Sequence, residues 1–350
     1  MAVTTLTIGN ELLSTTMHIV MKEWRDNIYT STAFLEAQTR VHGEGGPTQA
    51  GGTRIVQPLG FGEHSNTTRM QTGYERIDLS VSDVFQPAVY DFAHVVRPIA
   101  ISAEEELTNQ GDAAILSILE SRVTSVAAAL KREYVKQMVQ GGVSGWDDWN
   151  SLNGIDTAIT NGFLEPAAAG GGSQDSSVGG VSKATFSSKT GWNNQYFDGS
   201  DSFNSNGLAG LYDLLVEINA VSAEGNPNVI LASRSGFKNL KRSLQASERY
   251  MDEKSLDGGR MSTTFQGVPI DVEYYMPNAG GTSGTTEASF YMLNMNDIYT
   301  LWDPKGFFDL SDFETVSGEY DVRAAKLRVR GQLIAKHLGS SGLAVNLDTF

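Results

Sequence analysis

The 350-residue chain has no cysteine, which excludes disulfides and thiolate metal sites and removes any argument for an oxidising compartment. Positive charge is scarce too. Lysine and arginine total 26 against 41 acidic residues, a formal net charge of −15. General nucleic-acid binding needs a basic surplus to displace phosphate counterions, so this balance argues against it. No run of about 18 apolar residues occurs, which excludes a membrane-spanning helix. The first ten residues carry neither a basic cluster nor an apolar core run, so no secretory signal is expected there. The expected setting is soluble and reducing.

Signatures of catalysis are missing as well. There is no G-x-x-x-x-G-K-[ST] phosphate loop, and Lys189-Thr190 lacks the upstream glycines that would cradle a phosphate. No G-x-S-x-G elbow appears, and none of the five histidines stands in an H-E-x-x-H spacing. His42 and His64, with Glu44 and Glu63 beside them, form the one candidate metal cluster. Loop histidines without fixed spacing are more often solvated, so the expectation is no metal, no cofactor and no catalytic residue. Glu104-Glu105-Glu106 reads as charge at a helix N-terminus rather than as paired catalytic carboxylates. Asp198-Gly199-Ser200-Asp201 is oxygen-rich but departs from a calcium loop.

What the chain does have is 37 glycines, 9 prolines and 40% hydrophobic residues, a mixture that suits a folded protein with many turns. Leu13, Met17, Val20, Met21, Trp24 and Ile28 recur at helical spacing, predicting an arm helix that lies on a partner or on its own body. Glycines then punctuate residues 43–62. Residues 53–59 and 68–81 read as the strands of a long hairpin with its tip at 60–66. Such a ribbon is marginal alone in water and its open edges invite pairing, so neighbouring subunits should hold it.

Residues 95–101 form a β-rich run, and Ser102 with Glu105 has capping-box spacing. Gly111-Asp112 restarts a helix bearing Ile115, Leu119, Val123, Val126, Leu130 and Tyr134 on one face, closed by Gly141-Gly142. From 112 to 140 it would span about 45 Å, a strut rather than an average helix. Residues 143–205 read as an irregular insertion anchored by Trp146, Trp149, Trp192 and Tyr196.

Beyond it, Leu208, Leu211, Leu215 and Ile218 share a helix face, and 229–232 is a strand. Ser235 caps a helix carrying Phe237, Leu240 and Leu244, and 267–272 is another strand. Residues 290–293 and 298–302 read as a strand pair joined through Asn296-Asp297. The final strand, 325–336, alternates wet and buried positions, with Gly331 as a possible bulge. The class is α+β.

This order of elements resembles the major capsid protein of tailed bacteriophages, the Hong Kong 97-type shell fold, from about Arg25 onward. The resemblance is carried by Ile99-Ala100-Ile101-Ser102 before Glu104-Glu105-Glu106-Leu107, and by Leu152-Asn153-Gly154-Ile155. It continues in Val178-Gly179-Gly180-Val181 before Trp192-Asn193-Asn194, and in Thr264-Phe265-Gln266-Gly267-Val268-Pro269-Ile270 before Met276-Pro277. The runs 294–302 and 323–335 look like closing strands of that fold.

The resemblance implies an N-terminal arm at 1–42, an extended loop at 43–92, a peripheral domain with its spine helix at 93–142 and 303–350, and an axial domain at 143–302. It further implies self-assembly into hexamers and pentamers of an icosahedral virion shell, made in the host cytoplasm and enclosing DNA without reading its sequence. Inter-subunit contacts are expected at Arg54, Glu63, Arg69, Arg76 and Trp24. No lysine occurs between Lys22 and Lys131, so the isopeptide cross-link of some relatives has no nucleophile in the loop. A non-covalent shell follows. The hairpin begins only about forty residues from Met1, leaving no room for a fused scaffolding segment. The expected partners are therefore a separate scaffolding protein, a portal and a possible decoration protein. Two rival readings are a cellular encapsulin-like nanocompartment shell and a soluble hydrolase or ligand-binding protein with 143–205 as a lid.

Overall fold

The computed structural model describes residues 33–43, 46–61, 69–71, 73–74, 76, 84–108, 118–143, 145–146, 148–155, 162–166, 177–184, 192–199, 202–222, 225–245, 255–256, 260–261, 263–277, 288–315 and 321–350. The expected arm helix, Gly111-Asp112 and the segment 77–81 lie outside them.

Two sheets organise the molecule. The first is built on the strand Val322–Ala335, whose Ala325, Leu327 and Val329 are buried while Lys326 and Arg328 stay in water. One edge of this strand pairs antiparallel with Ala93–Ser102, in register from Val322↔Ser102 to Gly331↔Ala93. Its other edge takes Ile298–Trp302, Asp309–Leu310 and Glu314–Thr315. Gly331 is no bulge, because the register runs through it without a break. A Cβ there would lie 2.7 Å from both Leu301 O and the Trp302 ring, so the glycine allows a close approach.

The second sheet has six strands in the order Thr263–Phe265, Val268–Val272, Val229–Ala232, Ala288–Leu293, Gly342–Val345 and Gln195–Asp198. Its alternate residues enter two different cores. Ile230, Ala232, Phe290, Met292 and Ala344 face the helices Phe203–Val221 and Arg234–Gln245. Leu231, Tyr291, Leu293, Leu343 and Val345 enter the main core, which they share with the helix Ala33–His42, the long helix Ile118–Gln140 and the tryptophans. Both faces are covered, which is why these strands read as unbroken apolar runs. Residues 290–293 and 298–302 therefore do not pair as expected. The chain turns at Asn294, with Asp297 N bonded to Asn294 O, and passes from the second sheet to the first.

Helix ends follow local chemistry. Ser102 and Glu105 make the reciprocal capping box, each backbone N–H reaching the other's side chain at 3.2 Å. Gly141 ends the long helix at φ 72°, its N–H bonded to Gln137 O at 2.9 Å. The cap of Arg234–Gln245 is Ser233, not Ser235, since Ser233 Oγ accepts the Gly236 N–H at 2.9 Å. Leu208 turns outward instead of joining Leu211 and Ile218 in the core.

The described residues of the insertion pack through their aromatic anchors. Trp146, Trp149 and Trp192 are all buried, and Tyr134 lies 5.1 Å from Trp302 and 6.1 Å from Trp149 between ring centroids. The Tyr134 hydroxyl bonds Gln38 Oε1 at 3.1 Å and Thr300 Oγ1 at 2.7 Å. This node ties the helix Ala33–His42, the long helix and the strand Ile298–Trp302 together inside the core.

Candidate assembly surface

The hairpin is the region that composition alone leaves without a core. Its first strand, Arg54–Gly60, lies where expected, and its partner among the described residues is Phe85–Asp91, beyond the expected 68–81. Described residues in 69–76 form no strand. Packing selects the partner: Ala88 and Tyr90 fall on the same face as Ile55 and Leu59, and all four are buried in the main core. The Tyr90 hydroxyl donates to Ala335 O at 3.1 Å, and burial raises its pKa. The hairpin base is thus anchored within its own chain rather than held wholly by neighbours.

The opposite face stays in water and is apolar. It carries Val56 at 60% exposure and Phe85 at 77%, with Pro58 directly across from Pro87. The Arg54 Nε to Asp91 Oδ1 ion pair of 2.8 Å closes one end. Phe61 N donates to Val84 O at 3.0 Å, which makes 61↔84 a hydrogen-bonded pair and, by alternation, 58↔87 a non-bonded one. In such a pair the N–H groups point outward along the two edges. Both prolines therefore remove a donor from an edge without costing the hairpin a bond. On the edge of Phe85–Asp91, the Val89 N–H is already taken by Gly179 O at 2.9 Å.

That contact explains Gly179-Gly180. Their φ values of 60° and 77° make the two-residue turn between Ser177–Val178 and Val181–Ser182. A Cβ on Gly179 would lie 2.8 Å from Ala88 Cβ. Between this turn, the hairpin base and the long strand lies an open cleft of about 590 Å³, lined by Tyr90, Asp91, Asp148, Asn150, Ser177 and Gln332.

The expected contact residues are dispersed. Arg54 is paired across the hairpin base, Arg69 and Arg76 are exposed beyond it, and Glu63 and Trp24 lie outside the described residues. Val56, Phe85 and Asp91 were not singled out by sequence. The signal that could have found them is the proline in each strand at matching depth. Two further ion pairs brace the spine: Arg122 to Glu105 at 2.6 Å, and Arg97 to Glu133. The Arg122 pair holds the Glu105 carboxyl below its ordinary pKa.

For the metal cluster, His64, Glu44 and Glu63 fall outside the described residues. His42 Nε2 lies 2.7 Å from Met295 O, the bond of a structural histidine. Among the described residues no three metal-binding side chains converge.

No protein-family model and no curated protein matches this chain. Solved structures do. A chain of the cyanophage A-1(L) capsid asymmetric unit superposes with a TM-score of 0.67 at 14% identity, covering 98% of this chain and 99% of that one. The capsid of an empty GTA particle gives 0.61 at 13%, covering 95% of each. The holo-SrpI encapsulin complex from Synechococcus elongatus PCC 7942 gives 0.58 at 11%, covering 98% and 97%. At these identities likeness speaks for fold, and the chain has the Hong Kong 97-type fold of capsid shell subunits over nearly its whole length.

Proposed function

We propose that this protein is the major capsid protein of a tailed double-stranded DNA phage, assembling into hexamers and pentamers of an icosahedral shell that encloses the genome. The observation that carries this reading is the end-to-end superposition on a cyanophage capsid chain, 98% of this chain and 99% of that one covered. The hairpin supports it physically. Its base is built into the core, while its outer face, Val56 to Phe85, presents apolar side chains to water, as an interface element does.

In this reading the protein acts by geometry and not by catalysis: one surface repeats under closed symmetry until the shell shuts. Residues 43–92 serve as the extended loop and 1–42 as the arm. The spine helix and 93–142 with 303–350 form the peripheral domain, and 143–302 the axial domain. Arg54, Glu63, Arg69, Arg76 and Trp24 contribute inter-subunit contacts. A scaffolding protein, a portal and a decoration protein are the partners that such a shell would use, and the virion is its location.

The encapsulin-like shell remains the second reading, favoured by the SrpI superposition. Electron microscopy of the purified protein tests both. Closed icosahedral particles support a shell subunit, and a monomer at every concentration overturns it. DNA or a portal vertex in particles from infected cells selects the phage shell over the nanocompartment.

A further inference from the structure

The helices Phe203–Val221 and Arg234–Gln245 cover one face of the six-stranded sheet, and each has an unusual outer side. Phe203–Val221 buries Leu211, Leu214, Leu215 and Ile218. At 3.6 residues per turn its outer side should be polar. Instead Leu208, Tyr212 and Val216, one turn apart, are exposed by 38%, 43% and 60%. The only charges on this helix are acidic, Asp213 and Glu217, along the flank of that stripe.

Arg234–Gln245 is the complement. It carries Arg234, Lys238, Lys241 and Arg242 and no carboxylate. Arg234, Lys238 and Arg242 are exposed at one-turn spacing. Exposed aromatic rings sit at both ends of this basic stripe: Arg234 lies 4.7 Å over the Tyr274 ring and Arg242 lies 5.4 Å from the Phe350 ring. Arginines stacked on aromatics are the composition of interface centres. In a chain of net charge −15, so compact a block of positive charge fits a carboxylate-bearing partner.

We propose that these helices are the two halves of a head-to-tail contact between copies of this chain, the acid-flanked apolar face of Phe203–Val221 in one copy seating against the Arg234, Lys238 and Arg242 stripe of the next. The proposal rests on the shell-subunit reading and adds to it the surfaces by which copies join within a ring. Seated head to tail, each copy offering one face to the copy before it and the other to the copy after it, the contact is heterologous, and it closes when its rotation divides a full turn. Nucleic acid is the other polymer a basic stripe could meet. The aliphatic side chains of Leu208 and Val216, flanked by Asp213 and Glu217 on the same helix, favour protein.

Charge exchange tests it on the full chain. The variant D213K/E217K and, separately, K238E/R242E are each expected to lose particle formation while keeping the wild-type circular dichroism spectrum and a cooperative melt. An equimolar mixture of the two is expected to regain ring assembly, since each variant then meets opposite charge on its neighbour. Such rings must alternate, so six-membered rings form and five-membered ones do not, giving sheets or tubes in place of closed shells.

V216S, a change at an exposed position, should raise the critical concentration for assembly roughly tenfold with no change in melting. The inference is overturned if both charge variants assemble like wild type, if mixing restores nothing, or if K238E/R242E reduces only retained DNA. Those results would leave the shell reading standing, provided wild-type particles form. A wild-type chain that never forms particles would remove both.

Discussion

Lys183 brings an ammonium into the core beside the Ser177–Ser182 turn, where Phe163 O accepts its hydrogen bond at 2.8 Å and Glu165 lies 3.4 Å away. Burial outweighs the carboxylate and lowers its pKa from 10.5 to about 8. Between pH 8 and 10.5 the unfolded chain thus binds a proton that the folded chain has released. Stability rises with pH across that window, by up to about 3 kcal/mol.

A histidine and three tyrosines bound this window. His337, its pKa lowered by burial, completes its own gain once the pH exceeds its unfolded value near 6.5. Burial raises the pKa of Tyr90, Tyr134 and Tyr291, which reverses the trend above about pH 10, where only the unfolded chain ionises. K183M should therefore melt at or above the wild-type temperature at pH 7 and lose the rise between pH 8 and 10. Calorimetry showing that the rise persists in K183M would refute this. Gly331 offers a second test of the same kind. Its alanine variant pushes a methyl group against Leu301 O and Trp302, and chemical denaturation should show a loss of about 1–3 kcal/mol.

At the level of elements, the hairpin shows why alternation in a sequence does not choose a partner. Residues 68–81 and 85–91 both offer β-prone runs, and only the fit of Ala88 and Tyr90 against Ile55, Leu59 and Phe163 selects the second. The capping box at Ser102 was legible because it is a local exchange between residues three apart. The cap at Ser233 was not. Its neighbour Ser235 has the same chemistry, and the choice depends on Asp348, far along the chain, accepting from Ser233 Oγ at 2.6 Å.

Pro58 and Pro87 face outward along the two hairpin edges, where a further strand would have to dock. Replacing both with valine restores two edge donors and raises strand propensity. The double variant is expected to scatter light and bind amyloid dyes at concentrations where the wild type does neither. Unchanged scattering would show that other features protect the edges.

For the whole molecule, two short crossings of the chain join the sheets, from Ala288–Leu293 to Ile298–Trp302 and from Val322–Ala335 to Gly342–Val345. The crossings are fastened to each other: Lys336 N donates to Asp297 O at 2.8 Å and Asn294 N reaches Ser341 Oγ at 3.3 Å. Sheet membership runs across the order of the chain, with 298–302 joining the first sheet and 342–345 the second.

Mature particles boiled in detergent should run as a single band near 37.8 kDa, because the chain has no lysine between 22 and 131. A ladder of covalent multimers would contradict the non-covalent shell. Composition and local pattern by themselves determined the absence of cysteine chemistry, the acidic balance, the α+β class, the capped spine helix and the glycine turns. Each of these depends on a residue or its near neighbours. Tertiary structure alone decided the hairpin partner, the assignment of strands to sheets, the close approach at Gly331 and the outward turn of Leu208. In each case the deciding energy is contact between residues distant in sequence, and no local spacing encodes which of two similar segments makes it.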